Sequence, residues 1–168
     1  MSDKLKAALV MGSDSDFPVL KRSIRLLKAF GVETEVHVIS AHRTPYQAEE
    51  FASKAESAGI GVIIAAAGKA AHLAGVIASY TILPVIGLPV KSSTMDGLDS
   101  LLSMVQMPKG IPVATVAIDG AENAALLAVQ ILSLSCKELK EKLREYRMDM
   151  AEEVVEKDRL IREEAEKL

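Results

Sequence analysis

Short runs of uninterrupted apolar residues alternate along this chain with longer segments in which apolar residues recur at helical spacing. The runs at 7–11 (AALVM) and 61–67 (GVIIAAA) are typical of strands that are covered on both faces. The segment 17–30 has the helical pattern, with Pro18 in its first turn and Gly31 directly after its end. Because strands that alternate with helices are joined by crossovers, this order predicts a parallel sheet with helices on both faces.

The remaining segments complete a regular series of strands and helices. We predict further strands at 33–39, 84–89 and 113–118, and helices at 45–58, 70–79, 99–106 and 121–134. The series predicts an α/β fold of the flavodoxin-like, doubly wound kind, a three-layer sandwich around a five-stranded parallel sheet. We expect residues 1–136 to form this domain and to carry the catalytic site.

The segment 137–168 differs from the rest because it is dense in charge and rich in helix-forming residues. It predicts a long C-terminal amphipathic helix with a narrow apolar stripe, formed by Leu139, Leu143, Tyr146, Met150, Val154 and Ile161. One interpretation is a solvated helix that rests on its own domain. We favour a helix that packs on a neighbouring subunit, because a stripe of this length exceeds a small domain.

Composition excludes several classes of protein. The chain has 168 residues, 49% hydrophobic and 26% charged, which indicates one globular domain and not a disordered chain. Its formal net charge of -3 provides no basic field for nucleic acid or an anionic membrane. The single cysteine, Cys136, excludes an internal disulfide and a metal site built on thiolates.

No segment predicts export or membrane insertion. The apolar run at 60–68 is far shorter than the roughly 20 residues of a spanning helix, and the N-terminus lacks the apolar core of a signal peptide. We therefore expect a cytoplasmic protein. The surplus of apolar residues predicts a homo-oligomer, since obligate subunit interfaces are more apolar than ordinary surface.

Three polar turns follow the first three predicted strands, at 12–16 (GSDSD), 40–45 (SAHRTP) and 68–73 (GKAAHL). The carboxyl ends of parallel strands lie at one edge of a sheet, where ligands of such folds bind. We therefore expect the three turns to form one site.

The first turn has the features of a phosphate site. Gly12 allows close approach of the backbone, and Ser13 and Ser15 precede a helix N-terminus. An ordinary helix cap is the equally weighted interpretation. Asp16 suits ribose hydroxyls, because its carboxylate would repel a phosphate. The turn is neither a Walker loop nor a GxGxxG fingerprint.

The second turn places a titratable group between two anion-binding groups. Arg43 can grip a phosphate with its rigid set of donors, and Ser40 adds a hydroxyl. His42 belongs to the one side-chain type whose unperturbed pKa lies near neutrality, which suits proton transfer. The alternative is a histidine that packs beneath the loop.

The third turn combines small residues with two polar side chains. Gly68 offers a backbone amide, and His72 is either a second polar contact or a structural histidine. Lys69 is either a cation for a carboxylate or a solvated surface lysine. His37 alternates with valines inside the second strand, so we interpret it as structural. Three histidines without HExxH spacing give no expectation of a metal site, and no GxSxG elbow indicates a serine hydrolase.

These turns resemble the signature turns of the N5-carboxyaminoimidazole ribonucleotide mutase family of purine biosynthesis. The similar segments are 10–16, 40–45, 71–73, 83–87, 97–101 and 105–108, and the resemblance runs in order from about residue 6 to residue 134. Two departures lie in the third turn. Lys69 stands where many members have glycine or alanine, and Ala74 stands where they have proline.

The resemblance implies a flavodoxin-like subunit of a homo-octamer, with active sites at subunit junctions and with no ATP, metal or organic cofactor. It implies transfer of a carboxyl group from N5 to C4 of the imidazole of the ribonucleotide, with His42 as general acid and base. Transient contact with the upstream carboxylating synthetase is a further expectation. The substrate-binding residues that the resemblance implies are Ser13, Asp16, Arg43, Ser15, Ser40, Gly12, Gly68, Lys69, Ala71, His72 and Leu73.

Two other functions fit the same residues. A sister class, the AIR carboxylases, uses free CO2 directly and has a different third turn. A nucleotide-sensing module on the same fold would need Arg43 and the serines, but it has little use for a titratable group such as His42 in the centre of the site.

Overall fold

A five-stranded, all-parallel sheet forms the centre of the protein in the computed structural model, which describes residues 5–168. The strands lie in the order β2-β1-β3-β4-β5. Their bounds are β1 Lys6–Met11, β2 Glu33–Val38, β3 Ile60–Ala67, β4 Val85–Pro89 and β5 Ala114–Thr115. The helices are α1 Phe17–Ala29, α2 Pro45–Lys54, α3 Leu73–Ser79, α4 Leu98–Val105, α5 Ala121–Leu132 and α6 Lys137–Ala165.

Helices cover both faces of the sheet, which confirms the predicted flavodoxin-like, doubly wound fold. Helices α1 and α5 pack together on one face, and α2 and α3 pack together on the other. The first strand shows why this order is stable: Ala8 and Val10 belong to the core beneath α2 and α3, while Leu9 is equally buried on the opposite side. Strands that are apolar on both faces can be stable only between two layers of helices.

The predicted elements differ from the structure mainly at their ends. Strand β5 is predicted over 113–118, but the paired strand is only Ala114–Thr115. Beyond it the chain still follows β4 irregularly, with the N–H groups of Val116 and Asp119 donating to the carbonyls of Gly87 and Pro89. Helix α3 begins at Leu73 and not at 70, because residues 70–72 form a tight turn in which the N–H of His72 donates to the carbonyl of Ala70 at 2.9 Å. Helix α2 ends at Lys54, short of the predicted 58.

The chain divides into two compact units, the second of which is Ser133–Leu168. The first unit ends at Leu132, before the boundary predicted at 136. Helix α6 spans 29 residues, so the predicted long C-terminal helix is confirmed. In its apolar stripe, Leu139 and Leu143 are buried. Farther along the helix, the apolar side chains are at least half exposed, namely Met150, Val154 and Ile161.

Within residues 5–168, no helix is both long enough and apolar enough to cross a bilayer.

Two glycines with similar φ angles distinguish the energetic effect of backbone conformation from that of side-chain packing. Gly97 has a φ of 96°, and a Cβ added there would lie 2.7 Å from Cγ2 of Ile118 and 3.2 Å from Cα of Lys91. Gly110 has a φ of 101°, but an added Cβ would have no neighbour within 4 Å. Gly97 therefore allows the close approach of the chain after β4 to the chain after β5.

We predict that Gly97→Ala lowers the free energy of unfolding more than Gly110→Ala does. The Gly110 variant should lose about 1 kcal/mol from its backbone conformation alone. The Gly97 variant should lose a further 1–3 kcal/mol, roughly, because its methyl group overlaps packed atoms. Urea unfolding at one protein concentration measures both losses, and equal losses would contradict the packing role of Gly97.

Candidate active site

A cavity of about 560 Å³ opens at the carboxyl ends of β1, β2, β3 and β4. Its size is that of a site for a small ligand. Its lining contains all three predicted turns together with the loop that follows β4. The lining residues are Gly12, Ser13, Ser15, Asp16, Ser40, Ala41, His42, Arg43, Ala67, Gly68, Lys69, Ala70, His72, Leu73, Lys91, Ser92 and Ser93.

The loop after β1 is a tightly capped turn. The N–H of Gly12 donates to the carbonyl of Ala66, which extends the sheet by one residue. Ser13 and Asp16 form a capping box: the Ser13 hydroxyl accepts from the N–H of Ser15 at 3.3 Å, and the Asp16 carboxylate accepts from the N–H of Ser13 at 3.2 Å. The hydroxyl of Ser15 donates to that of Ser13 at 2.9 Å. The two interpretations of this turn therefore concern the same atoms, because the serine hydroxyls that cap the helix are also those of the predicted phosphate site.

Asp16 is buried beneath this turn, with 7% of its surface exposed. Burial raises the pKa of the Asp16 carboxyl above its ordinary value; the N–H of Ser13 acts in the opposite direction, and the charge of Asp14 raises it further. Asp16 therefore fixes the backbone of Ser13, in addition to the contact with ribose hydroxyls that the sequence predicts.

The loop after β2 is held by hydrogen bonds within it and to the loop after β1. The hydroxyl of Thr44 accepts from the N–H of Ser40 and donates to the Ser40 carbonyl, both at 3.0 Å. Ser40 in turn accepts from the N–H of Arg43 at 3.2 Å and from Nε of Arg43 at 3.4 Å. Nη2 of Arg43 donates to the carbonyl of Gly12 at 3.2 Å. The guanidinium is therefore oriented along the edge of the cavity.

Two histidines from different loops meet at the mouth of the cavity. Nε2 of His42 and Nδ1 of His72 are 2.9 Å apart, within hydrogen-bond distance, and their rings are almost perpendicular, with an interplanar angle of 86°. Both side chains are exposed to the cavity. His42 therefore does not pack beneath its loop, and His72 is a polar partner of His42.

The loop after β3 separates into lining residues and supporting residues. Gly68, Lys69 and His72 line the cavity. Leu73 also borders it but is 2% exposed, and Ala71 is 1% exposed and belongs to the core under α2 and α3. The two buried side chains therefore anchor a loop whose polar members face the ligand space.

Sequence reasoning missed the loop after β4. Lys91, Ser92 and Ser93 line the cavity directly beyond the end of that strand. The sequence did contain a signal for this loop, because the carboxyl end of a fourth parallel strand lies at the same edge of the sheet as the ends of the first three. The apolar run at 84–89 was recognised as a strand, but no motif followed it.

The other titratable candidates lie elsewhere. His37 is on β2, where its Nε2 is 2.7 Å from Oε1 of Glu35, and it does not line the cavity. No group of three or more histidine, cysteine, aspartate or glutamate side chains in the described part of the chain could hold a metal ion. The polar groups that line the cavity are imidazole, guanidinium, ammonium and hydroxyl groups and the carboxyl group of Asp16.

A doubly wound domain with paired imidazoles and an oriented guanidinium at the edge of its sheet defines a class: an enzyme for an anionic small molecule. Comparison with known proteins gives the particular family. Residues 6–153 match the AIR carboxylase family, so the chain belongs to that family.

Similar proteins cover nearly the whole chain. The N5-carboxyaminoimidazole ribonucleotide mutase of Pyrococcus horikoshii is 60% identical over 96% of this chain and 92% of its own. The mutase of the same name from Thermotoga maritima is 55% identical over 90% of this chain and 89% of its own. The crystal structure of Treponema denticola PurE, at 30% identity, has a TM-score of 0.84 and matches 91% of this chain and 96% of that chain.

We predict that Asp16→Asn stabilises the protein while it weakens ligand binding. A carboxyl whose pKa is raised on folding contributes stability that is present below its ordinary pKa and is lost as the pH rises through the raised value. The variant should therefore unfold at a higher temperature than the wild type at pH 7, and the difference should shrink towards acidic pH.

Thermal unfolding at several pH values measures this difference. Asp149→Asn, an exposed substitution on α6 with the same change of charge, is the control and should leave the unfolding temperature almost unchanged. A gain in stability for Asp16→Asn that is the same at all pH values would contradict the burial argument.

Proposed function

We propose that this chain converts N5-carboxyaminoimidazole ribonucleotide to 4-carboxy-5-aminoimidazole ribonucleotide in purine biosynthesis, with His42 as general acid and base. The observation that carries the proposal is the His42–His72 hydrogen bond at the mouth of a cavity that also holds Arg43. The mutases that are 55% and 60% identical to this chain support the choice of reaction.

The phosphoribosyl part of the substrate fits the side of the cavity formed by the loops after β1 and β2. Arg43 carries a charge that matches a phosphate, and its guanidinium is already oriented by Ser40 and by the Gly12 carbonyl. Ser13 and Ser15 add hydroxyls at the same edge. Asp16, which is buried below them, is the acceptor for ribose hydroxyls. Gly12 lets the ligand approach the backbone.

The reaction requires one proton to be given and one to be removed. When the bond between N5 and the carboxyl carbon breaks, its electron pair stays on N5, which takes a proton as CO2 leaves. C4 then attacks CO2 through the electron-rich imidazole ring, and the proton on C4 is removed. One imidazole can perform both transfers if the cavity retains CO2 between them, so the net reaction needs no external acid or base.

The contact between the histidines makes their proton positions interdependent. A neutral imidazole has one donor nitrogen and one acceptor nitrogen, so one ring must donate and the other accept in the bond between Nε2 of His42 and Nδ1 of His72. The bond therefore couples the tautomers of the two rings and orients the ring of His42. In this proposal, His72 positions His42, while Gly68, Lys69 and Leu73 border the imidazole and its migrating carboxylate. Ala71, which the resemblance also implied, supports this loop from the core.

Two alternatives make different predictions in the same assay. An AIR carboxylase would form the carboxylated product from aminoimidazole ribonucleotide and CO2, without N5-carboxyaminoimidazole ribonucleotide. A nucleotide sensor would bind the ribonucleotide without turnover. The mutase reaction is favoured because the relatives from Pyrococcus horikoshii and Thermotoga maritima carry that name.

We predict that His42→Asn lowers kcat for N5-carboxyaminoimidazole ribonucleotide about 10²–10⁴-fold, because it removes the acid and base. His72→Asn should lower kcat less, about tenfold, because it removes only the group that orients His42. His37→Asn is the matched control, a histidine outside the cavity, and should retain nearly full activity. Steady-state kinetics of the purified variants measure all three.

Two outcomes would overturn the proposal. Tight binding of the ribonucleotide by the wild type without turnover would indicate the sensor. Turnover of aminoimidazole ribonucleotide with CO2, but none of N5-carboxyaminoimidazole ribonucleotide, would indicate the carboxylase.

The assembly is part of the proposal. We infer a homo-octamer, located in the cytoplasm, in which the C-terminal half of α6 packs on a neighbouring subunit. Apolar side chains along that half are exposed, including Met150 at 50%, Val154 at 63% and Ile161 at 65%. Burial of such side chains between subunits stabilises obligate oligomers. Transient contact with the upstream carboxylating synthetase would occur on the assembled particle.

We predict that a chain ending at Ser135 forms a smaller assembly than the full chain, as measured by light scattering. Val154→Ser combined with Ile161→Ser should have the same effect with the helix retained, because only the apolar stripe changes. Glu152→Ser, on the opposite face of α6, is the control. An unchanged particle mass in both altered proteins would contradict the role of α6.

A further inference from the structure

The loop after β4 adds a cation that the proposed mechanism does not use. The cavity is lined by Arg43, Lys69 and Lys91, and among the described lining residues Asp16 is the one acidic side chain. Asp16 is buried and accepts from the N–H of Ser13, whereas Arg43, Lys69 and Lys91 are exposed, so the exposed cations of the lining outnumber its acidic groups. The open part of the cavity therefore suits a ligand with more than one negative charge.

The backbone of Lys91 is fixed by its neighbours. Its N–H donates to Oδ1 of Asp119 at 3.0 Å. The preceding residue, Val90, donates its N–H to the carbonyl of Ala67 at 2.9 Å and accepts from the buried hydroxyl of Ser100 at 2.9 Å. The base of the side chain is thus held in place at the edge of the cavity.

The ammonium group of Lys91, by contrast, is held only at the surface. It pairs with Asp96 at 2.6 Å, and the two side chains are 59% and 78% exposed. The hydrogen bond with Asp96 raises the pKa of Lys91, and the charges of Asp96 and Asp119 act in the same direction. Exposed ion pairs of this kind contribute little to stability, so a ligand anion can replace Asp96 at small cost.

The order of the strands indicates which anion this would be. Neighbouring strands lie about 4.8 Å apart, so the ends of β2 and β4 are separated by roughly 14 Å. A carboxylated ribonucleotide carries its phosphate at one end and its carboxylate at the other. If Arg43, after β2, binds the phosphate, the carboxylate extends towards the loops after β3 and β4.

We propose that Lys91 is a specificity-determining residue that leaves Asp96 to bind the carboxylate of the substrate and product. The proposal rests on the proposed function, because that function supplies a ligand with two anionic ends. The loop after β4 then recognises the carboxyl group that migrates. Asp96 holds the ammonium group of Lys91 when no ligand carboxylate is present.

Two ligands that differ only in the carboxylate test this assignment. Titration calorimetry would measure the Kd of 4-carboxy-5-aminoimidazole ribonucleotide and that of 5-aminoimidazole ribonucleotide. Lys91→Gln should weaken binding of the first about tenfold and leave the second within twofold, because only the first has the group that Lys91 contacts. Lys109→Gln, an exposed lysine outside the cavity with the same change of charge, is the control and should alter neither.

Asp96→Asn gives a test in the opposite direction. Removal of the competing carboxylate should strengthen binding of the carboxylated ligand by about two- to threefold, and this gain should vanish when Lys91→Gln is also present. An equal loss of affinity for both ligands in Lys91→Gln would overturn the proposal, since it would mean contact with the phosphate. Unchanged affinity for both would overturn it as well.

Kinetics of the wild type distinguish this failure from failure of the proposed function. Turnover of N5-carboxyaminoimidazole ribonucleotide by the wild type, together with unaltered binding in Lys91→Gln, would leave the function standing and refute the role of Lys91. Absence of turnover in the wild type would overturn both.

Discussion

The parallel pairing of β1 with β2 on one side and β3 on the other is the constraint on which the candidate site depends. Met11, the last residue of β1, lies opposite Val38 on β2 and Ala66 on β3, so the three strands end at one level of the sheet. The loops that follow must therefore share one small region. The hydrogen bond between His42 and His72 is a direct result. The two residues are 30 positions apart in the chain, and they meet because the loops that carry them begin at the same edge of the sheet.

Stability and function use the same atoms in this region. The hydroxyl of Ser13 caps the turn before α1, and the carboxylate of Asp16 fixes the backbone of Ser13, although burial of that carboxylate opposes its ionisation. Arg43 orients its guanidinium on the Gly12 carbonyl. A site formed in this way is organised before the ligand arrives, which lowers the entropic cost of binding and of reaching the reactive geometry.

The sequence sufficed for the fold class and for the convergence of three turns, because both follow from the alternation of buried strands with helices. It did not suffice for contacts that depend on side-chain direction. The contact between Nε2 of His42 and Nδ1 of His72 is one example. The loop after β3 is another, because Ala71 lies in the core while Lys69, with its left-handed backbone, lines the cavity. Lys91 was missed because a lone lysine after a short strand carries no pattern, and its position is set by Asp119, 28 residues away.

The most direct test of this account is nitrogen NMR of the protein labelled with ¹⁵N at its histidines, of which the chain has 3. The account predicts a scalar coupling across the hydrogen bond between Nε2 of His42 and Nδ1 of His72, and loss of that coupling in His72→Gln, while the His37 signals stay unchanged. Two uncoupled rings at these positions, each exchanging its proton independently with water, would contradict it.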